Sequence, residues 1–295
     1  MKILFIGCVE SSYKLLLALL ENKICVTGVI TKKESEFNSD FYDLSPLCNK
    51  YDIEVLYAKN INDDDSVRFI KRLNPDIGFC FGWSQLINEE VINIFPKGIV
   101  GFHPAQLPNN RGRHPLIWAL VLGLEESAST FFLLDSGADT GTIISQVIVR
   151  ISYGDDAASL YKKIMDVAVK QELQFVKELE NGTIKYIVQS PFKGNSWRKR
   201  NRKDGMIDWR MSSYAIYNLV RGLTHPYVGA AFEYQGKEYK VWRVKEIVCP
   251  DSMGNIEPGK VMKVNADGTI DIKVYDNIIR LIDFDTILVK EGDYL

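Results

Sequence analysis

The sequence predicts an α/β protein: a mostly parallel sheet covered by helices on both faces, followed by a smaller β-rich domain. Through the first half of the chain, near-continuous apolar runs alternate with amphipathic segments, as in a buried parallel sheet. The last third instead carries short strand-like runs separated by glycine and asparagine turns. A length of 295 residues suits two domains, at roughly 100–200 residues each.

The elements of the first domain follow from these runs in chain order. The runs that predict strands are 2–6, 25–31, 53–57, 76–81 and 98–103, and the segments that predict helices between them are 15–20, 45–51, 66–73 and 88–95. Beyond them we expect a helix over 115–122, strands over 130–134 and 143–151, and a long helix that stops at Asn181-Gly182. We place the first domain at residues 1–189.

The composition changes near residue 190, and we place the second domain at residues 190–295. A leading helix is predicted over 214–223, and two hairpins are predicted over 230–244 and 260–275. Gln235-Gly236 and Asp267-Gly268 are the turn signals of these hairpins. Short strands joined in this way are typical of a small OB-like barrel or a sandwich.

Composition excludes several classes of protein. The 36 Lys and Arg residues nearly balance 38 Asp and Glu, which argues against a protein that binds mainly to phosphate backbones. Five scattered cysteines without a Cys-x-x-Cys pair favour a reducing compartment and oppose a zinc site or a disulfide framework. No apolar run is long enough to cross a membrane, and the amino terminus lacks the pattern of a cleaved signal. The sequence therefore predicts a cytoplasmic protein without a metal.

Residues 101–115 carry the chemistry. They read Gly-Phe-His-Pro-Ala-Gln-Leu-Pro-Asn-Asn-Arg-Gly-Arg-His-Pro and contain two of the three histidines of the chain. His103 ends a predicted strand, and in α/β sheets reactive side chains gather at the carboxyl ends of the strands. For an isolated histidine, a structural role in a turn would be the better interpretation. The surrounding motif reverses that preference.

The motif resembles the formyltransferase family that uses 10-formyltetrahydrofolate. In that family a strand ends in Asn-x-His, and Leu-Pro, Arg-Gly and, after a further strand, Asp-x-Gly follow. The corresponding residues here are Gly101-Phe102-His103, Leu107-Pro108, Arg111-Gly112 and Asp139-Thr140-Gly141. The order of these segments is preserved over most of the chain. The resemblance implies a Rossmann-like core. It is greatest to the sugar N-formyltransferases, in which Arg-Gly-Arg-x-Pro and a following tryptophan (Trp118) are typical.

The resemblance implies that His103 and Asp139 are catalytic. His103 would move protons and stabilise the oxyanion of a tetrahedral intermediate, and Asp139 would favour the imidazolium and take a proton from the amine. Gly101 replaces the asparagine that donates to the oxyanion in the family. The loss of one such donor costs about 10²–10³ in rate when nothing replaces it. Asn110 is our preferred replacement for this donor. Gln106, Asn109 or a main-chain N–H group is an alternative, and the remaining alternative is that the protein is an impaired catalyst.

The formyl donor implied by the family is N10-formyltetrahydrofolate, whose pterin would lie between two loops. A planar heterocycle with donor and acceptor edges suits main-chain groups presented between apolar walls. Taken alone, Trp83 is better interpreted as a core residue. The residues expected to contact the folate are Phe81, Trp83, Leu86, Ile87, Arg113, Asp135, Ser136, Gly137 and Ala138.

The acceptor site is less defined by the sequence. Glu10 and Ser11 lie in a strand-to-helix turn that lacks a full Gly-x-Gly-x-x-Gly, so it is either a substrate contact or a plain turn. Gln106 could contact the acceptor. Arg111 could pair with a diphosphate or with a structural carboxylate. The polar and aromatic loop over residues 37–43 could select the sugar.

The predicted function is transfer of a formyl group to the amine of a nucleotide-linked deoxyamino sugar for surface glycan synthesis. The sugar would be linked to UDP or dTDP, and a 4-amino precursor of the pseudaminic acid type is our first choice. The alternatives are a methionyl-tRNA formyltransferase, suggested by the basic run 198–203, a formyltetrahydrofolate hydrolase, and a non-catalytic folate- or sugar-binding homologue. A nucleic-acid partner is disfavoured by the overall charge, no membrane partner is expected, and a homodimer is allowed.

Overall fold

The computed structural model describes residues 1–34 and 40–295. The chain forms two compact units, each assembled from separate stretches. The first comprises Met1–Gly112, Ala128–Val149 and Lys163–Ser196, and the second comprises Arg113–Ser127, Arg150–Lys162 and Trp197–Leu295. Residues 37–39 of the loop proposed to select the sugar lie outside the described residues. No helix in the described part of the chain is both long and apolar enough to cross a membrane.

The described residues contain every predicted element, with ends that differ by a few residues. They also contain three strands that were not predicted, the two-residue strands Arg111–Gly112 and Ser196–Trp197 and the longer strand Ile278–Phe284. The strands are β1 (Ile3–Ile6), β2 (Val26–Thr31), β3 (Val55–Tyr57), β4 (Ile77–Cys80), β5 (Ile99–His103), β6 (Arg111–Gly112), β7 (Glu126–Leu133), β8 (Ile143–Arg150), β9 (Ser196–Trp197), β10 (Ala230–Tyr234), β11 (Lys237–Ile247), β12 (Val261–Val264), β13 (Ile270–Lys273) and β14 (Ile278–Phe284). The helices are α1 (Glu10–Glu21), α2 (Ser45–Lys50), α3 (Asp64–Leu73), α4 (Glu89–Ile92), α5 (Pro115–Val121), α6 (Ala157–Asn181) and α7 (Ser213–Leu223), with 3-10 turns at Arg202–Gly205 and Asp251–Met253.

The first sheet has the strand order β3-β2-β1-β4-β5-β7-β8. Strands β1 to β5 pair in parallel, and β7 runs antiparallel to β5 with His103 opposite Thr130. The predicted α/β fold with a mostly parallel, Rossmann-like sheet is confirmed. Because β1, β4 and β5 are neighbours, their carboxyl ends lie side by side. The three segments that leave them, residues 7–12, 81–87 and 104–112, therefore start at one edge of the sheet.

An aromatic cluster fixes the middle of this sheet. Phe81 and Phe131 have ring centroids 5.4 Å apart, and Phe131 lies 4.8 Å from Phe175 of α6. All three side chains are fully buried. Their edge-on and tilted arrangements are those that aromatic rings favour, and each pair adds about 0.5–1.5 kcal/mol to the free energy of burial. The cluster ties β7 and α6 to the end of β4, where one of the loops expected to contact folate begins.

The second unit contains an antiparallel sheet with the strand order β10-β11-β14-β13-β12 and the helix α7. The predicted β-rich domain is confirmed. Strand β14 lies in the centre of this sheet, yet the sequence did not predict it. Ile278, Ile279 and Leu281 are all buried, so this strand lacks the alternation of apolar and polar residues that marks a strand with one wet face.

Three of the five basic residues of the run 198–203 are either paired with carboxylates or buried within the second unit. Arg198 makes a bidentate pair with Asp204, which holds the pKa of that carboxyl well below its usual range. Arg202 pairs with Glu233 at 3.0 Å and also with Glu238. Arg200 is buried, with its guanidinium carbon 4.6 Å from the ring centroid of Trp118. The run is therefore organised by local ion pairs rather than presented as a bare cationic strip.

Glu172 of α6 is a buried acid without a partner. It is 0% exposed, and neither carboxylate oxygen has a hydrogen-bond partner among the described residues. Burial raises its pKa well above the ordinary value, because an ionised carboxylate loses its solvation inside the unit. The folded chain therefore holds this proton at pH values where the unfolded chain releases it.

We expect the free energy of unfolding to fall as pH rises above the ordinary pKa of a glutamate, about 4.3, because the folded state then binds more protons than the unfolded state. The contribution is fully present below the pKa of the unfolded glutamate and is lost as pH rises towards that of the folded one. Glu172→Gln removes this fall, whereas Glu21→Gln, at the exposed end of α1, retains it. Urea titrations at stepped pH measure the slopes. An unchanged slope in Glu172→Gln would contradict the prediction.

Candidate active site

His103 is the last residue of β5, so a rigid strand places it at the carboxyl edge of the sheet. Its side chain is only 4% exposed. The turn that follows is braced by two hydrogen bonds. Thr130 Oγ1 donates to the carbonyl of Ala105 at 2.6 Å, and Gln146 Nε2 donates to the carbonyl of Leu107 at 2.9 Å. The histidine therefore stands on a strand and a braced turn, a support suited to precise chemistry.

Both ring nitrogens of His103 face an acceptor. Nε2 lies 2.7 Å from the main-chain oxygen of Asn110, and since a carbonyl only accepts, Nε2 carries the hydrogen. Nδ1 lies 3.6 Å from Asp139 Oδ2. In a neutral imidazole held this way, Nδ1 has a free lone pair opposite a carboxylate oxygen. A bound group with N–H bonds can donate to both Nδ1 and Asp139 Oδ2. If Nδ1 is protonated instead, His103 and Asp139 form an ion pair.

Asp139 is held in a strained backbone conformation. Its φ of +57° lies in the left-handed region, which residues with side chains rarely adopt. Its Oδ2 accepts the N–H of Gly112 at 2.8 Å, which aims the carboxylate towards His103. A Cβ atom at Gly141 would lie 1.7 Å from the carbonyl oxygen of Leu133. Only glycine fits there, so the loop runs directly against the end of β7.

Apolar side chains crowd the position of Gly101, where the family usually has an asparagine. A Cβ atom would lie 2.6 Å from Leu134 Cδ2 and 3.1 Å from Phe132 Cζ. These two side chains would therefore have to shift to admit even a Cβ atom. Asn110, our preferred replacement, has a φ of +63° and contacts His103 through its carbonyl. A donor role for its side chain stays a prediction.

The loop after β4 packs against the turn after β1. Phe81 is fully buried, and its carbonyl accepts a hydrogen bond from Ser12 Oγ at 2.5 Å. A Cβ atom at Gly7 would lie 2.5 Å from the same carbonyl, and one at Gly82 would lie 2.1 Å from Val9 Cγ2. The two segments therefore touch backbone to backbone. Phe81 anchors this loop, and contact of Phe81 with folate stays a prediction.

The remainder of this loop has the mixed character that a heterocycle site needs. The indole Nε1 of Trp83 is buried and has no hydrogen-bond partner within residues 1–34 and 40–295. Lys32 Nζ lies 4.9 Å from the centroid of the Trp83 ring. Leu86 is 77% exposed, whereas Ile87 is buried and packs in the core. The loop thus combines one unused donor with an exposed apolar side chain.

The second loop expected to contact folate is closed by its first residue. Asp135 Oδ1 accepts the N–H of Gly137 at 3.0 Å and the hydroxyl of Thr140 at 2.7 Å. Such side-chain bonds fix a tight turn locally. Ser136, Gly137 and Ala138 are exposed at its tip. Asp135 therefore shapes the loop, and the loop ends at the strained Asp139.

Comparison with known proteins identifies the family. Residues 1–176 match the family described as formyl transferase, and residues 199–286 match the formyl transferase C-terminal domain. The chain belongs to the formyl transferase family. The resemblance found in the sequence motifs is thereby confirmed.

Solved structures share the fold of this formyl transferase family member. An N-formyltransferase from Helicobacter canadensis, in complex with folinic acid and dTDP-3-aminofucose, has a TM-score of 0.71 at 18% identity, over 95% of this chain and 99% of that one. A 4-N formyltransferase from Francisella tularensis has a TM-score of 0.65 at 19% identity, over 80% and 94%. HypX from Aquifex aeolicus has a TM-score of 0.67 at 19% identity, and the match covers 95% of this chain but only 45% of HypX.

The residues proposed for the acceptor lie in several places. Glu10 and Ser11 are the first residues of α1, and Glu10 pairs with Lys14 at 2.7 Å. Gln106 lies in the braced turn after His103. Arg111 donates to the amide oxygen of Gln189, through Nε at 3.2 Å and through Nη2 at 2.8 Å.

Arg113, proposed to lie beside the formyl donor, begins the second unit, where its N–H donates to the carbonyl of Trp197. Its role towards folate, like the roles of the other proposed contact residues, stays a prediction. The structure also brings two residues to the site that the sequence did not suggest, Gln189 and Asn195. They follow the long helix in a polar stretch without a motif, so no signal in the sequence singled them out.

We expect Gly101→Ala to lower the free energy of unfolding by about 1–3 kcal/mol, because the new methyl group must displace Leu134 and Phe132 from a packed wall. Urea unfolding of the variant and of Gly101→Ala/Leu134→Ala measures the effect. Leu134→Ala makes space beside residue 101. Gly101→Ala should therefore lower the free energy of unfolding less when residue 134 is alanine than when it is leucine. If Gly101→Ala were as stable as the parent, the packing argument would fail.

Proposed function

We propose that this protein transfers the formyl group of N10-formyltetrahydrofolate to the amine of a nucleotide-linked deoxyamino sugar. The observation that carries the proposal is the pairing of His103 Nδ1 with Asp139 Oδ2, two acceptors held 3.6 Å apart, beside which an amine can lie. An amine with N–H bonds satisfies both. Similar structures, including one bound to folinic acid and dTDP-3-aminofucose, support this choice of donor and acceptor.

The proposed reaction is balanced within the site. The neutral amine donates hydrogen bonds to Asp139 and His103, and its lone pair attacks the formyl carbon. A new C–N bond forms, and the formyl oxygen becomes an oxyanion that imidazolium at His103 or a nearby N–H group stabilises. Collapse breaks the bond from the formyl carbon to N10. The proton that leaves the amine passes through the Asp139–His103 pair to N10, so the products are a formamide and tetrahydrofolate.

The charges of the second unit bear on the choice of acceptor. A methionyl-tRNA acceptor would draw on the basic run 198–203, yet Arg198 and Arg202 are paired with carboxylates and Arg200 is buried. We therefore favour a small nucleotide-linked acceptor, with a 4-amino sugar as first choice. The reaction would serve surface glycan synthesis in the cytoplasm, where the reduced folate pool lies.

A panel of UDP- and dTDP-linked amino sugars, incubated with N10-formyltetrahydrofolate, tests the acceptor class. We expect at least one member to gain the mass of one formyl group in place of a hydrogen, measured by mass spectrometry. Initiator methionyl-tRNA serves as the competing acceptor, and a reaction without an amine detects hydrolysis to formate. Three results would each contradict this proposal. They are formylation of the tRNA alone, formate release at the same rate with and without an amino sugar, and folate binding without turnover.

We expect His103→Asn and Asp139→Asn each to lower kcat by about 10²–10⁴-fold, because each removes a group that handles the transferred proton. Asp76→Asn is the matched control. Asp76 precedes β4 at the opposite edge of the sheet and accepts the N–H of Lys2 at 2.6 Å. Initial rates of formylation, with unfolding curves for each variant, measure the effect. Parental turnover in Asp139→Asn would remove the carboxylate from the mechanism.

A further inference from the structure

Residues 189–195, here called the strap, lie between the two stretches that match the family, residues 1–176 and 199–286. The strap follows α6 and belongs to the first unit. Most of it is exposed, but Gln189 is only 8% exposed. A Cβ atom at Gly194 would lie 1.9 Å from the carbonyl oxygen of Pro108, so the strap runs directly against the loop after His103.

Gln189 uses both ends of its amide in the site. Its Nε2 donates to the carbonyl of Asp139 at 3.0 Å and to the carbonyl of Gly141 at 2.6 Å. Its Oε1 accepts from Arg111 Nε at 3.2 Å and from Nη2 at 2.8 Å. One buried side chain therefore joins the strained Asp139 loop to the strand residue that precedes Gly112, the donor to the Asp139 carboxylate.

Asn195 supports the loop that holds His103, the other member of the pair with Asp139. Its Oδ1 accepts the N–H of Asn110 at 2.9 Å, and its carbonyl accepts the N–H of Arg111 at 3.1 Å. Asn110 is the residue whose carbonyl accepts from His103 Nε2. Asn110 has a φ of +63°, in the left-handed region, and it gains support for this conformation from outside its own loop. Asn195 supplies that support.

We infer that Gln189 and Asn195 are positioning residues, which together set the geometry between His103 and Asp139. Gln189 holds the backbone of the aspartate, and Asn195 holds the carbonyl that commits the histidine to one tautomer. Neither residue contacts the ring or the carboxylate itself. The inference rests on the proposed formyl transfer for its kinetic consequence, but its structural consequence can be measured without any acceptor.

The kinetic test compares strap variants with matched controls. We expect Gln189→Leu and Asn195→Ala to lower kcat by roughly 10²-fold, since a displacement of about 1 Å has that cost, with KM for the acceptor nearly unchanged. Gln189→Glu keeps the acceptor for Arg111 but loses both donor bonds, so it should also be slow. Asn195→Asp keeps the acceptor for Asn110 and should retain the parental rate.

Two variants elsewhere serve as controls for the loss of similar hydrogen bonds. Gln171 is also buried, and its Nε2 donates to the carbonyl of Ser129 and to Ser145 Oγ. Asn277 Oδ1 accepts the N–H of Cys249 in the second unit. Gln171→Leu and Asn277→Ala should retain kcat. Unfolding curves establish that all variants are compared while folded.

A spectroscopic measurement separates this inference from the proposed function. The chain has three histidines, so ¹⁵N spectra of the imidazole nitrogens are simple, and His103→Gln assigns the signals of His103. We expect those signals to move in Gln189→Leu and Asn195→Ala and to stay in the two controls. If they stay in both strap variants, the inference is overturned, whether or not any amine is formylated. Parental kcat in both variants of an active enzyme overturns it as well.

Discussion

The hydrogen bond from His103 Nε2 to the main-chain oxygen of Asn110 determines what the rest of the site can do. It uses one ring nitrogen for structure and leaves Nδ1 for chemistry. It also draws the loop after β5 back over the end of its own strand. Gly112 is thereby placed to donate to Asp139, whose carboxylate completes the pair with the histidine. Loop closure, tautomer and acid–base pairing are thus consequences of one contact.

Close approaches between backbones give this contact its rigidity. The turn after β1 meets the loop after β4 at Gly7 and Gly82, and the loop that carries Asp139 meets β7 at Gly141. At each of these positions a side chain would occupy space that a neighbouring backbone or side-chain atom already fills. The edge of the sheet is therefore packed to atomic contact, and beneath it the aromatic cluster around Phe131 and Phe175 links the strands to α6.

The sequence predicted the elements that carry a strong periodic signal and the residues that carry a motif. The parallel strands read as apolar runs, and His103 and Asp139 read as family motifs that the structure brings within 3.6 Å of each other. Strand β14 gave no alternation because residues on both of its faces are buried. Gln189 and Asn195 could not be predicted from the sequence, since they contact the site only because the chain returns to it after α6. The crowding at Gly101 likewise depends on Leu134 and Phe132, which come from a different strand and its end.

Each unit is built from three separate stretches of the chain, which limits how the protein can be divided into fragments. The first unit takes Met1–Gly112, Ala128–Val149 and Lys163–Ser196, and the second takes the stretches between and after them. The chain therefore crosses from one unit to the other repeatedly, and α5, which belongs to the second, is encoded in the middle of the first. Cleavage at any peptide bond within residues 113–196 separates stretches that belong to the same unit, for both units at once. Two fragments cut there by limited proteolysis, or expressed separately with that boundary, would each lack pieces of both units, and the molecule must be studied as one chain.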